Sequence, residues 1–337
     1  MSHSITIRVV PFQPHCFAFG GFDLQMIGAM NATRNASFDI GPLDVWRRTA
    51  DFDIIHFWGF DVAHFHIAYW AQAANKKLVM SALLPFPSFI SYLRNLGAVV
   101  ASSTRLRFEM LPLISALTVV NAEQARYAVK ILGLAADRVH VIPNIVDDIF
   151  FDPPSNADGF NVGFNDYVLC VGNICKRKNQ LMLVKACRKL GVPLLLVGDV
   201  LVGEEEYGKA VAEAMRGVLN MDWIRGLPAG SDALAAAYRN CLVFALPSYS
   251  ETQPISALEA AAAGKSVLLA NRSYARQEFF AKAVLVSPKS EINLINGLKR
   301  VMDDPSSYCT PRNILERCRR ENVGKAYRDV YSALRYG

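Results

Sequence analysis

Short apolar runs of strand length alternate with helix-forming stretches along the chain, in two series separated by a proline-containing break. Such alternation is the pattern of parallel sheets, because a strand that is followed by a helix returns parallel to itself and both faces of the sheet are covered. The first series predicts strands over 5–10, 53–58, 77–82, 116–120 and 138–142, with helices such as 23–32, 62–74 and 122–132 between them. Pro143 and Asn144, then the run 152–159 with Pro153 and Pro154, interrupt the pattern and mark a linker. A second series predicts strands over 167–171, 194–197, 223–225, 241–246, 266–270 and 283–286. Two Rossmann-like α/β domains are expected, 1–150 and 160–318, facing each other across a cleft. A last helix lies in 319–337, where Ala326, Tyr327, Val330, Tyr331 and Leu334 fall at helical spacing.

At 337 residues, 52% apolar and 20% charged, the chain is long enough for two domains with separate cores. No basic leader or cleavage site accompanies 5–10 and no apolar stretch reaches the length of a membrane span, so a cytoplasmic protein is expected. Seven cysteines, odd in number and without a C-x-x-C pair, fit buried reduced thiols better than a disulfide frame or a zinc site. A net charge of +6 favours an anionic partner such as a nucleotide diphosphate or an anionic lipid surface. Nucleic acid is not expected, because the basic residues form only short clusters such as Lys176-Arg177-Lys178.

The most informative chemistry lies in Pro247-Ser248-Tyr249-Ser250-Glu251-Thr252-Gln253-Pro254-Ile255-Ser256-Ala257-Leu258-Glu259-Ala260. The run 241–246 predicts a buried strand and 255–263 the opening of a helix, with Pro254 suited to the first turn, where a missing N–H costs nothing. Glu251 then stands above the carboxyl end of a strand, and the unpaired N–H groups of the first helical turn point at whatever anion sits there. Glu259, on the same helix, can face the same crevice.

This stretch resembles the E-x7-E motif of the retaining glycosyltransferases of family 4, which have the GT-B fold. Pro247, Ser248, Glu251, Glu259, Ala260, Ala262, Gly264 and Val267 fall in register with the family pattern, while Lys265-Ser266 replaces its usual Thr-Pro. The resemblance covers nearly the whole chain and is more specific in the second domain than in the first. It implies a last helix crossing back to the first domain, and transfer of a sugar from a nucleotide diphosphate-sugar donor to a hydroxyl with retained anomeric configuration. It also implies that Glu251 holds donor-sugar hydroxyls, with Thr252, Gln253, Pro254 and Ile255 beside it, and that Glu259 holds the nucleotide ribose.

Residues 166–180 resemble the family's V-G-R-x-x-x-x-K-[GN] loop, with Gly172 at the turn, Asn173 in place of the usual arginine and Lys178 on the family lysine. That resemblance gives Lys178 the donor diphosphate. A fixed ammonium helps most there, because the departing diphosphate gathers negative charge in the transition state. Asparagine donates a hydrogen bond but brings no charge, so Arg177 or Lys176 is the candidate to compensate. Phe19-Gly20-Gly21-Phe22-Asp23 resembles the family's G-G-x-E turn, which implies that Gly20 and Gly21 let the backbone approach the donor. Two further segments, Val197-Gly198-Asp199 and Trp223-Ile224-Arg225-Gly226-Leu227, resemble the nucleotide pocket and add Asp199 and Leu227. Glu278 matches a family position and reads as structural.

Asp51-Phe52-Asp53 has the form of a metal-holding D-x-D, but Asp53 opens a strand, which puts the pair at the amino end, away from the ligand side. No metal and no cofactor are expected. His56 ends up near the carboxyl end of that strand, where the family often has a histidine facing the cleft, and joins Lys178 and Glu251 as a candidate catalytic residue. Many relatives carry another histidine after the next strand; here 79–85 offers only Ser81. The stretch 86–114 carries Arg94, Arg105 and Arg107 among apolar residues. It fits peripheral contact with an anionic membrane that holds a lipid-linked acceptor, and equally a packed helix with surface arginines. The acceptor is expected to be a glycan or lipid-linked glycan of surface polysaccharide or glycolipid synthesis. The alternative is a catalytically silent relative acting as a scaffold, which Asn173 leaves open. A dinucleotide oxidoreductase is disfavoured, since neither domain has G-x-G-x-x-G after a strand.

Overall fold

The computed structural model describes residues 4–17, 20–86, 102–152, 160 and 162–336. Phe19, most of the expected linker (153–159) and 87–101 of the expected membrane-facing stretch lie outside the described residues. The chain forms two compact units, one of Met1–Ile145 with Cys318–Gly337 and the other of Val146–Arg317.

The first unit holds the strands β1 (Ile5–Val10), β2 (Phe38–Pro42), β3 (Ile54–Trp58), β4 (Lys77–Ser81), β5 (Ala116–Val119) and β6 (Val139–Val141) in the order β2-β1-β3-β4-β5-β6. Neighbouring strands pair in parallel, and β3 is buried along its whole length, as a strand with helices on both faces must be. The sequence did not announce β2. Its Asp39, Gly41 and Pro42 disfavour strand structure, but Phe38 and Ile40 point inward in register with Ile5 and Ile7 of β1 and decide the matter. The accompanying helices are α1 (Gly21–Thr33), α2 (Phe65–Ala73), α3 (Ser102–Met110) and α4 (Ala122–Lys130).

One more helix, Arg320–Tyr336, belongs to this unit although it comes from the far end of the sequence; it is called the return helix below. Val323, Tyr327, Val330 and Tyr331 on it are buried in one core with Ile7, Val9, Met26 and Ile54. It runs close against α1: a Cβ on Gly324 would stand 2.2 Å from the carbonyl oxygen of Ala32, so only glycine permits the approach.

The second unit carries β7 (Tyr167–Val171), β8 (Leu194–Val197), β9 (Met221–Ile224), β10 (Cys241–Leu246), β11 (Ser266–Ala270) and β12 (Val284–Val286) in the order β12-β11-β10-β7-β8-β9. The helices are α5 (Asp148–Phe151), α6 (Gln180–Leu190), α7 (Glu205–Met215), α8 (Asp232–Asn240), α9 (Ile255–Ala262), α10 (Glu291–Asp303) and α11 (Arg312–Leu315). Serine caps open α8 and α10, the hydroxyls of Ser231 and Ser290 accepting from the N–H groups of Leu234 and Asn293. Chain order changes direction between the adjacent strands β7 and β10. In an open parallel sheet, the crevice beyond the carboxyl ends of two such strands is where ligands bind.

Candidate active site

Both loops at that switch point are tightly specified. The loop after β7 turns at Gly172 (φ +136°), passes through a turn of 3-10 helix at Lys176–Lys178 and reaches Asn179 in the left-handed region (φ 61°). The buried Asn179 amide donates to the carbonyls of Pro247 at 3.3 Å and Pro288 at 2.9 Å, which ties this loop to the one after β10. Tyr249 N–H donates to the Arg177 carbonyl at 2.8 Å, and Arg177 Nη1 donates to the Ser250 carbonyl at 2.5 Å.

These ties bring three donors onto one carboxylate oxygen. Glu251 Oε1 lies 3.2 Å from Lys178 Nζ and 2.7 Å from Arg177 Nη1, and accepts from the Ser248 hydroxyl at 3.0 Å. The Lys178 and Glu251 side chains are each 12% exposed and Arg177 is 47% exposed, so the first two form a fixed floor with Arg177 at its rim. A Cβ on Gly172 would stand 2.8 Å from Lys178 Nζ, and one on Gly198 (φ +143°) would stand 2.4 Å from the Gly172 carbonyl oxygen. Glycine at both places lets the ammonium lie across the end of β7. Asn173 is exposed and its carbonyl accepts from Gln180 Nε2 at 2.9 Å. Of the two residues expected to compensate for it, Arg177 is the one that reaches Glu251.

Glu259 lies on α9, where Tyr238 of α8 donates its hydroxyl to Oε2 at 2.7 Å. Burial pushes this carboxyl up to about 7; nearby Asp147 adds to the rise and the Tyr238 hydrogen bond opposes it. Gln253 is buried and spends its side chain on the loop: Nε2 donates to Gln277 Oε1 at 2.8 Å, and Gln277 Nε2 donates to the Thr252 carbonyl at 2.7 Å. Pro254 is the N-cap of α9, one place before the first turn, so the N–H groups of Ile255 and Ser256 head the helix. Asp199 is exposed, its carbonyl accepting from Ile174 N–H at 2.7 Å. Leu227 is half-buried beyond β9, where Trp223 Nε1 donates to the Gly198 carbonyl at 2.8 Å and the Arg225 guanidinium lies 4.2 Å above the Trp223 ring. Glu278 pairs with Arg317 at the surface.

In the first unit, the structure departs from expectation at His56. The ring is buried, with Nδ1 2.7 Å from the Tyr331 hydroxyl and Nε2 2.8 Å from Ser81 Oγ, and burial lowers its pKa to about 3. Both ring nitrogens are taken up by the junction of β3, β4 and the return helix, so His56 offers neither of them to a substrate. Ser81 is buried in the same network, its hydroxyl 2.6 Å from Thr118 Oγ1. Gly20 caps α1 in extended backbone (φ −155°), its N–H donating to Asp23 Oδ2 at 2.8 Å, and a Cβ there would meet nothing within 4 Å. The fold itself therefore does not require glycine at that point. Gly21 follows, exposed, as the first residue of α1. Asp53 sits before β3 and accepts from Thr6 N–H at 2.8 Å. Among the described residues no three His, Cys, Asp or Glu gather as metal ligands.

Residues 159–321 match the family described as Glycosyl transferases group 1, and residues 27–149 match Glycosyltransferase Family 4. With its two doubly wound sheets, the protein is a glycosyltransferase of the GT-B type. It is similar in structure to a sucrose-phosphate synthase from Thermosynechococcus elongatus, with a TM-score of 0.75 at 17% identity over 98% of this chain and 99% of that one. HepE of Anabaena, solved with UDP and glucose, aligns with a TM-score of 0.71 at 16% identity over 98% of this chain and 100% of its own. An α,α-trehalose-phosphate synthase from Burkholderia xenovorans, in complex with glucose-6-phosphate, gives 0.69 at 14% identity over 99% and 100%. No curated protein matches the sequence.

Proposed function

We propose that the second unit binds a nucleotide diphosphate-sugar and that the protein moves the sugar to an acceptor hydroxyl with retention, without a metal ion. The observation that carries this reading is the convergence of Lys178, Arg177 and Ser248 on Glu251 Oε1 at the switch point between β7 and β10. Glu251 is held through one oxygen, which leaves the other to accept from a donor-sugar hydroxyl. Lys178, fixed between Glu251 and Gly172, meets the charge that gathers on the leaving diphosphate. Arg177 is half exposed; turning from Glu251 to the diphosphate, it supplies the charge that Asn173 lacks. The N–H groups of Ile255 and Ser256 add the positive end of α9, and Glu259 accepts from the ribose. UDP and UDP-glucose occupy HepE, which makes UDP-sugars the first donors to try.

For the acceptor we propose a glycan or lipid-linked glycan, met on the cytoplasmic side at an anionic membrane surface, in polysaccharide or glycolipid synthesis. The net charge of +6 supports this. Among the described residues no helix is long and apolar enough to cross a membrane. The locked His56 and uncharged Asn173 favour one rival, a silent relative that binds donor as a scaffold. Calorimetric screening of UDP-, GDP- and other nucleotide-sugars, followed by assays of donor hydrolysis, tests both. Binding with hydrolysis supports the enzyme, binding with no turnover of any donor supports the scaffold, and failure of every nucleotide to bind overturns the reading of the site.

A further inference from the structure

The loops that follow β8 and β9 carry two opposite charges that the fold itself does not use. Trp223 of β9 donates its indole Nε1 to the Gly198 carbonyl just past β8, which fixes the ring. Arg225, the first residue after β9, lies with its guanidinium 4.2 Å from the centre of that ring. Stacking on an aromatic face holds a guanidinium in one plane and leaves its N–H groups pointing outward from the edge. Arg225 is exposed, and among the described residues no ion pair or hydrogen bond takes those groups.

Asp199 supplies an acceptor alongside. Its side chain is exposed, and its Oδ2 would stand 3.1 Å from a Cβ on Gly226, so the carboxylate lies against the backbone next to Arg225. Among the described residues it has no ion-pair partner either, Arg225 included. The stack keeps the guanidinium over Trp223, and both charges stay open to a third group. Both loops lead back to the residues around Lys178 and Glu259. Gly198 packs its backbone on Gly172, beside Lys178, while at the far end of the loop after β9 a Cβ on Gly230 would stand 3.3 Å from Oδ2 of Asp147, the carboxylate that acts on Glu259. A nucleotide with its diphosphate on Lys178 and its ribose on Glu259 therefore has its base within reach of Arg225 and Asp199.

We propose that Arg225 and Asp199 read the base of the donor and select guanine, an inference that rests on the second unit binding a nucleotide diphosphate-sugar. Guanine presents two neighbouring acceptors, O6 and N7, to the fork of a guanidinium, and two neighbouring donors, N1–H and the N2 amino group, to a carboxylate. Uracil alternates acceptor, donor and acceptor along its edge, so neither the fork nor the carboxylate finds two bonds there. Adenine puts an amino group where the fork needs an oxygen.

Calorimetry on the full chain with GDP, UDP, ADP and IDP, the last being GDP without its N2 amino group, tests the proposal. GDP binds more tightly than UDP or ADP by about tenfold or more, the discrimination of one good bidentate contact, and IDP falls below GDP. Arg225→Ala and Asp199→Asn each lower the GDP-to-UDP affinity ratio by about tenfold, and Asp199→Asn also abolishes the difference between GDP and IDP. Both side chains are exposed, so these variants keep the fold. UDP or ADP binding as tightly as GDP overturns the choice of base and leaves the nucleotide site standing. Equal weakening of every nucleotide by Arg225→Ala assigns that guanidinium to the diphosphate and overturns its reading of the base. Failure of every nucleotide to bind overturns the site itself, and the selection of guanine with it.

Discussion

Lys178 is held against Gly172 and Glu251, so the role proposed for it, meeting charge on a leaving diphosphate, would be exerted mainly in the transition state. Lys178→Ala is therefore expected to lower kcat more than it raises KM, and steady-state kinetics with the cognate donor distinguishes this from the pattern of a simple binding residue. Under the proposed reading, Glu259 accepts from the ribose in both ground and transition states. Glu259→Ala weakens nucleotide binding by about 1.5 to 3 kcal/mol, the range for hydrogen bonds to a charged group. Because burial raises its pKa to about 7, the folded protein holds a proton there that the unfolded chain, at 4.5, releases. Stability from this group is lost as pH rises from 4.5 through 7, whereas the proposed ribose contact, which uses the ionised form, is expected to strengthen. The rise in nucleotide affinity from pH 6 to pH 8 should shrink in Glu259→Gln; an identical profile in the two proteins would remove Glu259 from the site. His56 has the opposite sign. Between its ordinary 6.5 and about 3 the unfolded chain binds a proton that the folded one excludes, so stability falls as pH drops through that window. Going from pH 7 to pH 5 costs about 2 kcal/mol through His56, and His56→Gln should flatten the dependence in urea titrations. That Lys178 and Glu251 lie just past neighbouring strand ends was legible, because each falls on a motif that resembles the family's and follows a predicted strand. The role of Arg177 was left open against Lys176, since only the fold of the loop decides which of two neighbours turns inward. Tyr238 gave no signal, because its partner Glu259 lies on another helix.

Strand ends and helix starts carry the rest of the site. Gly198, after β8, packs its backbone on Gly172, after β7, so Gly198→Ala should push the two loops apart, cost about 2 to 4 kcal/mol and lower activity together with stability. Denaturation and turnover measured on the same preparation check both; an Ala variant with unchanged stability would mean that the loops are free to separate. The head of α9 bears on the metal question. In the proposed metal-free mechanism its first-turn N–H groups, with Lys178 and Arg177, take the place of a divalent ion's positive charge, and Asp53 lies at the amino end of β3 with its carboxylate on Thr6. Turnover is thus expected to persist in excess EDTA, and loss of activity that Mn²⁺ or Mg²⁺ restores would reject the metal-free mechanism. Strands with continuous apolar runs, such as β7 and β10, were readable because burial on both faces demands them. β2 was not, because only two of its residues point inward and the rest read as turn. His56 misled for a related reason: the period of a strand tells which face a side chain takes, but not that a distant tyrosine will close over it.

The two units differ in how they are assembled from the sequence. Val146–Arg317 is one continuous segment with its own sheet, while the other unit draws on both Met1–Ile145 and Cys318–Gly337. A fragment spanning 146–317 should unfold in a single cooperative transition, whereas 1–145 alone should lack one, because Tyr327 and Tyr331 are missing from its core and from His56. Adding a peptide of 318–337 to 1–145 should restore protection of β3 and β4 amides from hydrogen exchange; no change on mixing would show that the return helix is dispensable. The return helix also sets an order of events on the ribosome. Residues 146–317 have everything they need once they emerge, but the sheet made first must wait, its tyrosine-lined face uncovered, until the return helix has been translated. The half of the protein that is synthesised first is thus the half that finishes folding last.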